Sequence, residues 1–418
     1  MVITKKSDVK IYDKVTIATI DFAKDKNTLY CRRCITGPEM KIIPFRHTFK
    51  EYNRIYSRVI NFARSNGCSE VIFGFESTGV YAIPFINYIC HRPVKVVQVN
   101  PLHTKRAREI TDNSPDKSDK KDPRVIADII ELRRFLSVVV PEGVVADLRN
   151  LSHARERSHK RLTALYNQLH DLVFMVFPEF LQVFKKLRTA TARYMLNNHL
   201  MPIKIVALGL EELTILLRRI SRGRYGRAQA EALFSAAHVS VGVRQGIRSV
   251  EQEIKMLLHL IQEITQQITT LESQLEERLQ YITYSKLILS IPGIGPVSAA
   301  GLIGEIADLP SFESIDELMK LAGMNLYEIS SGRFKGKRRI SKRGRPLIRK
   351  LLYFLVLHMI RGGGIFHDEY HQYIERNMGH NQAMGALARK LLRIIFTLVH
   401  NETEYSADYE SLKNRKTA

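Results

Sequence analysis

The sequence predicts an α/β domain at the N-terminus, followed by a long helical region and a mainly helical C-terminal region. Over the first third of the chain, short apolar runs alternate with amphipathic helical segments, a pattern typical of α/β folds. From about residue 144 to residue 280 the spacing of apolar residues becomes helical throughout. After a Pro-Gly-Ile-Gly-Pro turn at 292–296, further helical segments follow.

The N-terminal region begins with an apolar run, Val-Thr-Ile-Ala-Thr-Ile, which predicts a strand buried on both faces. Strands at 15–20, near 28–35, at 71–75 and at 94–99 are predicted to alternate with helices at 49–65, 80–89 and from about Asp119 to Arg134. Such alternation implies a mainly parallel sheet. Asp21 and Glu76 fall at the carboxyl ends of strands, where open α/β sheets place their ligand sites.

The middle region contains a narrow apolar seam between residues 254 and 275. The seam residues occupy the a and d positions of successive heptads: Ile254, Leu257, Ile261, Ile264, Ile268, Leu271 and Leu275. This spacing favours a coiled coil through which the chain self-associates as a dimer or tetramer. The alternative is one long helix packed within a bundle. Residues 180–245, rich in Arg and Leu, suit helices that contact nucleic acid.

The C-terminal region is predicted to contain helices at 297–306, 312–322, 346–361 and 382–400. The residues between 328 and 346 are polar, basic and contain several glycines. The last residues, 401–418, form a polar tail that we expect to be frayed.

Composition points to a polyanionic partner in the cytoplasm. The 418 residues include 64 Lys and Arg against 42 Asp and Glu, a formal charge of +22, which favours nucleic acid or an anionic membrane. No apolar run approaches the roughly 18–20 residues that a spanning helix needs, so no membrane segment is expected. The N-terminal residues lack the apolar core of a signal peptide. The 4 cysteines are too few for a disulfide scaffold.

Four carboxylates stand out against this basic background, at Asp21, Glu76, Asp119 and Asp122. Mg²⁺, or Mn²⁺ in its place, prefers a few carboxylates together with water and substrate phosphate. Asp119 and Asp122 are three residues apart and would share one face of a helix. The alternative is structural, with Asp119 as a helix N-cap and Asp122 as a first-turn acid favoured by the helix dipole. Taken with the two strand-end acids, the pattern favours a metal site.

Two C-terminal segments could contact nucleic acid. Gly293 and Gly295 would let the backbone approach a phosphate in a helix-hairpin-helix manner, unless they only make a tight turn. Ser330, Ser331 and Gly332 are followed by a basic run without an acid: Arg333, Lys335, Lys337, Arg338, Arg339, Lys342, Arg343, Arg345, Arg349 and Lys350. These cations would neutralise several phosphates. A serine there could attack phosphorus, although Ser-Gly also commonly marks a turn.

Two metal-like patterns have simpler explanations. Cys31 and Cys34 have the spacing of half a zinc site, but no second pair accompanies them, and a strand pair ending in a turn explains them equally. His367 and His371 are four residues apart, but Asp368 stands where the metalloprotease helix requires Glu.

The order of these motifs resembles that of the DEDD transposases of one insertion-sequence family, related to the Piv-type DNA invertases. The resemblance covers about 12–135 and about 285–400. Its N-terminal motifs are Ile20-Asp-Phe-Ala-Lys24, Glu76-Ser-Thr-Gly-Val-Tyr81, Val99-Asn-Pro101 and Lys117-Ser-Asp-Lys-Lys-Asp122. Its C-terminal motifs are Ser290-Ile-Pro-Gly-Ile-Gly295, Phe312, Ala322-Gly323, Ser331-Gly332, Ile340-Ser-Lys-Arg-Gly344 and Arg349.

The resemblance implies a RuvC-like, RNase H-type domain over 10–140, with Asp21, Glu76, Asp119 and Asp122 as a Mg²⁺-binding tetrad. It further implies a helical and coiled-coil region over 141–283 and, over 284–400, a transposase domain whose serine forms a covalent link to DNA. A structured bridge RNA would pair with donor and target DNA. Active sites would combine domains from two or more protomers.

The chain departs from the family pattern at two places. Asp122 is followed by proline instead of alanine, and because proline is accepted in a first helical turn, we expect a shifted helix start and not a lost ligand. Ser330-Ser331 leaves two candidate nucleophiles: the Ser-Gly pair favours Ser331, while counting back from Lys342 favours Ser330. The predicted function is RNA-guided DNA transposition. The alternatives are a metal-dependent junction nuclease without a covalent serine intermediate, and a non-enzymatic nucleic-acid-binding protein.

Overall fold

A six-stranded sheet forms the N-terminal part of the protein in a computed structural model that describes residues 14–34, 37–76, 79–112, 121–138, 140–328, 330–331, 334–335 and 338–406. Its strands are β1 (Val15–Asp21), β2 (Asn27–Arg33), β3 (Ile43–Phe45), β4 (Glu70–Glu76), β5 (Lys95–Val99) and β6 (Leu136–Ser137). The helices among them are α1 (Phe49–Ser65), α2 (Ile83–Ile89), α3 (Pro101–Asp112) and α4 (Lys121–Glu131). The predicted strands and helices of this region are therefore confirmed, with shifts of a few residues at most boundaries. The sequence pattern does not predict β3 or β6, and α3 occupies a segment that reads as a charged loop.

The strands follow the order β3-β2-β1-β4-β5-β6, and the sheet is mixed. Only β1–β4 and β4–β5 are parallel pairs, while β1–β2, β2–β3 and β5–β6 are antiparallel. The prediction of a mainly parallel sheet is therefore wrong. The connection from β1 to β2, residues 22–26, is too short for the dozen or more residues of a parallel crossover. The connections into β4 and β5 contain α1 and α2 and can make that crossover.

Helices cover both faces of this sheet. On one face, Ile20 of β1 and Phe73 of β4 pack in a core with Ile55 of α1 and Phe85 of α2. On the other face, Ile17 and Ile72 pack in a core that includes Ile126 of α4. Strands buried on both faces explain why their sequences are apolar runs without polar alternation.

Contact clustering divides the chain into two compact units. The first contains residues 1–146, 290–293 and 305–418, and the second contains residues 147–289 and 294–304. The predicted division into three regions, 10–140, 141–283 and 284–400, stays a prediction.

The second unit is helical. Its helices begin with α5 (Gly143–Val176), α6 (Phe180–Val183), α7 (Ala190–Asn198), α8 (Pro202–Leu208), α9 (Leu210–Ile220), α10 (Arg227–His238) and α11 (Ile247–Leu279). The seam residues Ile254, Leu257, Ile261 and Ile268 of α11 lie in the core of this unit. That burial matches the alternative of a long helix packed within a bundle. Self-association through α11 stays a prediction.

One of the remaining helices directly precedes the turn at 290–295 and the others follow it, and the residues after 304 belong to the first unit. They are α12 (Ser285–Leu289), α13 (Pro296–Ile306), α14 (Ile315–Ala322), α15 (Pro346–Met359), α16 (His367–Glu375) and α17 (His380–Asn401). The helix predicted at 312–322 begins at Ile315, because Ser314 is extended at its N-cap and a short 3-10 turn, Leu309–Ser311, precedes it. Two small antiparallel ladders lie between α14 and α15: β7 (Leu326–Tyr327) with β10 (Arg339–Ile340), and β8 (Ser330–Ser331) with β9 (Phe334–Lys335). Across the described residues, no helix combines the length and apolar character needed to cross a membrane.

Candidate active site

Two of the predicted acids are neighbours at one edge of the sheet. Strands β1 and β4 are parallel, and the register pairs Ile20 with Phe75. Asp21 and Glu76 follow these residues directly, so they lie side by side at the carboxyl ends of adjacent strands. Both are half-buried. The third parallel strand, β5, places Val99 opposite Glu76. This is the edge at which the sequence predicts a ligand site.

The turn after Asp21 is held by side chains that the sequence did not single out. The Asn27 side chain accepts a hydrogen bond from the backbone N–H of Ala23 at 3.0 Å. His47 bridges the Ala23 carbonyl, at 2.9 Å from Nε2, and the Tyr52 hydroxyl, at 2.7 Å from Nδ1. These bonds connect the end of β1 to α1 and limit the positions that Asp21 can take.

Asp122 lies in the first turn of α4 and is buried, with 3% of its surface exposed. The buried hydroxyl of Thr19 donates a hydrogen bond to the carbonyl of Pro123 at 2.6 Å. Thr19 precedes Asp21 by two residues, so this bond fixes the start of α4 against the same strand. Pro123 needs no N–H partner in a first turn. The helix start at Lys121 therefore keeps Asp122 beside β1. Asp119 lies outside the described residues.

Two charged contacts hold the rest of α4 against β2. The Arg32 guanidinium contacts Asp128 at 2.7 Å and also binds Glu131. Arg124 contacts Glu39 at 2.8 Å, and Glu39 accepts a hydrogen bond from the Tyr30 hydroxyl at 2.6 Å. Burial and this bond to Glu39 raise the pKa of Tyr30 to about 12. Tyr30 therefore stays a neutral donor at any physiological pH.

The described part of the chain contains no group of three His, Cys, Asp or Glu side chains gathered closely enough to hold a metal ion. The structure brings Asp21 and Glu76 together and fixes Asp122 on the adjoining helix start. The fourth acid of the predicted set is not described. The available donors are all carboxylates, which is the chemistry that Mg²⁺ or Mn²⁺ prefers.

Neither the cysteine pair nor the histidine pair belongs to a group of three potential metal ligands among the described residues. Cys31 and Cys34 are free and buried. Burial raises the pKa of both thiols, to about 12 for Cys34. His367 lies at the start of α16 and its Nδ1 contacts the Ile360 carbonyl at 3.0 Å.

The two candidate serines lie in a two-residue strand. The register pairs Ser330 with Lys335 and Ser331 with Phe334. Arg333 and Lys337 lie outside the described residues, as does Gly332 between the paired strands. The choice between the two serines stays open.

Close backbone packing holds the segment that follows the serines. The N–H of Lys342 donates to the Gly323 carbonyl at 2.8 Å, and that of Arg345 donates to the Leu321 carbonyl at 2.8 Å. A Cβ added at Gly344 would lie 2.3 Å from the Gly323 nitrogen and 2.4 Å from the Leu321 oxygen. Glycine is required at 344 because two backbone segments meet there. The Ala322-Gly323 and Lys342-Arg-Gly344 motifs are two sides of one contact.

The basic side chains predicted to contact nucleic acid fall into two groups. Some bind backbone carbonyls of the protein, and others are exposed. Arg349 donates to the carbonyls of Ala322 at 2.8 Å and Gly344 at 3.1 Å, and Arg345 donates to the Glu305 carbonyl. Burial lowers the pKa of Arg349. These two arginines hold the fold of the segment. Exposed cations remain at Arg338, Arg339, Lys342 and Arg343, of which Arg338 contacts Glu328 at 3.1 Å.

A long-range charge interaction relates the basic segment to the helix that follows β5. Burial, followed by the positive charges of Arg343, Arg106 and Arg134, lowers the pKa of His103. His103 lies in the first turn of α3, which begins directly after Asn100 at the end of β5. Arg343 therefore approaches the helix that starts at the acidic edge. His103 is a neutral side chain at pH 7.

The glycine turn also has the geometry of a tight connection. Gly293 has a φ of +94°, which favours glycine, and an added Cβ would lie 3.2 Å from Met359. The Gly295 carbonyl accepts from the N–H groups of Ser298 and Ala299, at 3.1 and 3.0 Å, at the start of α13. Phosphate binding by Gly293 and Gly295 stays a prediction.

Comparison with known proteins agrees with this arrangement. Residues 18–178, which contain the strand-end acids, match a family model described as a transposase, the DEDD domain of IS110-type elements. Residues 285–371, which contain the glycine turn and the serines, match the model described as transposase IS116/IS110/IS902 family. The protein is thus a transposase of the DEDD class. It belongs to the IS110/IS116 family of insertion-sequence transposases.

Similar proteins come from insertion elements of actinobacteria. The 44.8 kDa protein of insertion element IS116 from Streptomyces clavuligerus is 25% identical, over 68% of this chain and 72% of its own length. The 42 kDa protein of IS900 from Mycobacterium paratuberculosis is 22% identical, over 69% and 73%. The 43.6 kDa protein of IS110 from Streptomyces coelicolor is 22% identical, over 72% and 75%.

Proposed function

We propose that this transposase cuts, exchanges and rejoins DNA strands under the guidance of an RNA, through a covalent phosphoserine intermediate. One observation carries the proposal. Asp21 and Glu76 are adjacent on parallel strands, with Asp122 held at a fixed helix start beside them. A purely structural role does not require two acids to lie side by side at the ends of parallel strands in a chain with a charge of +22.

Asp21, Glu76, Asp119 and Asp122 would hold Mg²⁺, or Mn²⁺ in its place. When bound there, the metal would polarise a DNA phosphate and neutralise charge that develops on it. The side chains themselves orient the phosphate by fixing the position of that positive charge. The bonds of Thr19, Asn27 and His47 described above restrict the movement of the acids' supporting backbone.

The nucleophile would be Ser331, with Ser330 as the other candidate. The serine oxygen forms a bond to phosphorus, the bond from phosphorus to one DNA oxygen breaks, and the proton lost by the serine is balanced by the proton gained by the departing DNA hydroxyl. Attack on the phosphoserine by another DNA hydroxyl reverses these changes and rejoins a strand. The ester preserves the bond energy, so rejoining needs no ATP.

A structured bridge RNA would select both donor and target DNA by base pairing. In such systems the protein grips backbones while the RNA reads sequence. The exposed cations Arg338, Arg339, Lys342 and Arg343 suit that role, because phosphate contacts position nucleic acid without reading it. A dimer or tetramer would bring the acids of one protomer to the serine of another.

A suicide DNA substrate tests the covalent step. The wild-type protein, the RNA of its own element and Mg²⁺ should yield a protein–DNA adduct that resists denaturation. The adduct should be absent from Ser331→Ala and retained by Ser330→Ala, and omission of the RNA should abolish it on the programmed site. The opposite pattern would assign the nucleophile to Ser330. Cleavage without an adduct would instead establish a metal-dependent junction nuclease in which water attacks.

A further inference from the structure

Two neighbouring turns in the second unit carry exposed cations that the proposed reaction does not use. The first turn, residues 184–189, connects α6 to α7. The second, residues 218–225, contains the end of α9 and the residues that lead to α10. We call them the paired turns. Their exposed cations are Lys185, Lys186, Arg188, Arg218, Arg219, Arg222 and Arg224.

Aromatic contacts fix the paired turns to each other. The rings of Phe184 and Tyr225 lie 5.5 Å apart between centroids, and Phe184 also stacks on Phe180 at 4.6 Å. Phe184 is buried in the core of the unit. Lys185 directly follows Phe184 and Arg224 directly precedes Tyr225. The cations of both turns therefore emerge from one rigid place on the surface.

The charges of this surface are uncompensated within the part of the chain that the structure describes. None of its seven cations forms an ion pair there, and Arg188 lies over the ring of Tyr166 at 4.5 Å from its centroid. Arg227, three residues beyond Arg224, behaves differently, since it contacts both Glu211 and Glu231 at 2.9 Å. Seven cations on two adjoining turns without counter-charges repel one another, which favours a polyanion as their partner.

Arg222 occupies a backbone position that favours glycine. Helix α9 ends in a Schellman motif, in which the N–H of Gly223 donates to the Arg218 carbonyl at 2.8 Å and that of Arg222 to the Arg219 carbonyl at 3.3 Å. The residue at this point adopts a left-handed conformation, and Arg222 has a φ of +53°. A side chain here costs conformational energy that glycine would avoid. A strained cation at an exposed turn indicates a function for that cation.

We propose that the paired turns bind the phosphate backbone of double-stranded DNA, as a binding surface additional to the acids and serines of the first unit. DNA is the polyanion on which a transposase acts. The choice of DNA as the ligand of the paired turns therefore rests on the family of the protein and does not depend on the proposed RNA guidance. The surface supplies cations from two loops and no helix inserted into a groove, which suits sequence-independent backbone contact.

Salt-dependent binding of the full-length protein to a random-sequence DNA duplex of about 30 base pairs tests the proposal, because each phosphate contact adds about 0.9 to the slope of log K against log salt. The measurement is made by fluorescence anisotropy in EDTA, so that it does not depend on metal, cleavage or the serine. The variant Lys185→Gln/Lys186→Gln/Arg222→Gly/Arg224→Gln should lower the slope by roughly 3.6. Arg227→Gln, the ion-paired control, should leave the slope unchanged.

The single variant Arg222→Gly separates binding from folding. Its melting temperature should stay the same or rise, because glycine relieves the left-handed strain, while its slope should fall by about 1. An unchanged slope in the quadruple variant would overturn the proposal. So would a loss confined to an RNA duplex of the same sequence, which would assign the surface to RNA. If the covalent adduct fails to form but the slope changes as stated, only the proposed chemistry is contradicted.

Discussion

The acidic edge of the sheet and the basic segment after α14 are positioned by different physical means. At the acidic edge, strand register and two buried faces set where Asp21 and Glu76 lie. In the basic segment the strands are only two residues long. The backbone there is held by the close packing of Gly344 on Gly323 and by hydrogen bonds from Arg349 to two carbonyls. The first kind of support is spread over many residues. The second depends on a few residues, so single substitutions should affect the two regions very differently.

The largest effect is expected on catalysis at the acidic edge. Asp21→Asn removes one carboxylate charge without changing side-chain size, and the loss of several kcal/mol of charge stabilisation corresponds to a cleavage rate lower by about 10²–10³-fold. Folding should be retained because the residue is half-buried and not part of the core. Single-turnover DNA cleavage measures the effect.

The control for this variant is Asp25→Asn. Asp25 is exposed in the connection that follows the same strand. The Asp25→Asn variant changes the net charge by the same amount as Asp21→Asn and should cleave DNA at the wild-type rate. Equal losses of cleavage rate in both variants would mean that Asp21 acts only through the overall charge of the protein and not through a site at the strand end.

The largest stability effect is expected in the basic segment. Gly344→Ala places a methyl group against the backbone of Gly323 and Leu321, where neither partner can move cheaply. Overpacking of this kind costs about 1–3 kcal/mol. Chemical denaturation should show the loss. Gly385→Ala, in α17 with open space around the added methyl, should instead be neutral or stabilising. If Gly344→Ala unfolds like the wild type, the glycine contact does not position the segment.

A smaller effect is expected from the bond that anchors α4. Thr19→Val keeps the side-chain shape but leaves the buried Pro123 carbonyl without its hydroxyl donor, at a cost of about 1–2 kcal/mol. The same variant should cleave DNA more slowly, because the start of α4 that carries Asp122 is less firmly held.

Thr16→Val on the same strand is a matched control. Thr16 and Thr19 are both fully buried, but the Thr16 hydroxyl has no hydrogen-bond partner among the described residues. Its replacement should therefore stabilise the protein. Two equal losses in thermal unfolding would show that both threonines act only through packing.

The smallest effect is a change in the pKa of His103, which reports the charge interaction between the two regions. Arg343→Gln removes one of the charges that lower the pKa of His103, so that pKa should rise toward its ordinary value. Because the folded-state pKa is lowered, the unfolded chain binds more protons, and stability falls as pH decreases below about 6.5. The variant should show less of this loss. Histidine NMR titration measures the change, and Arg339→Gln, exposed but not among the causes, should leave the pKa unaltered.

The sequence predicts the strands and helices of the N-terminal sheet well because each of them is indicated by the pattern of apolar residues within its own segment. The apolar run 15–20 and the helical spacing over 49–65 are sufficient to identify β1 and α1, and a strand-end rule then predicts where Asp21 and Glu76 lie. The antiparallel pairing of β2 with β1 follows from the short connection between these two strands. The positions of the apolar runs alone do not show whether two strands pair in parallel or antiparallel. A buried Thr19 in an apolar strand is the one local signal for the α4 anchor.

The rest depends on distant contacts. No spacing pattern shows that Gly344 meets Gly323, or that Arg349 donates to carbonyls instead of phosphates. The heptads of α11 predict a seam correctly, but periodicity alone does not tell whether the same chain or a second copy covers it. The sequence predicts nucleic-acid contact over 180–245, but it does not show that the two turns adjoin, because Phe184 and Tyr225 are far apart along the chain.

Peptide mapping of the DNA-linked protein tests the central claim that the acids and a serine act in one reaction. The wild-type protein is incubated with Mg²⁺, its RNA and a suicide substrate, then digested and analysed by mass spectrometry. A nucleotide phosphate should be attached to the peptide that contains Ser330 and Ser331, and Asp21→Asn should yield none. Cleaved DNA without a nucleotide on that peptide, or an unchanged yield in Asp21→Asn, would contradict the account.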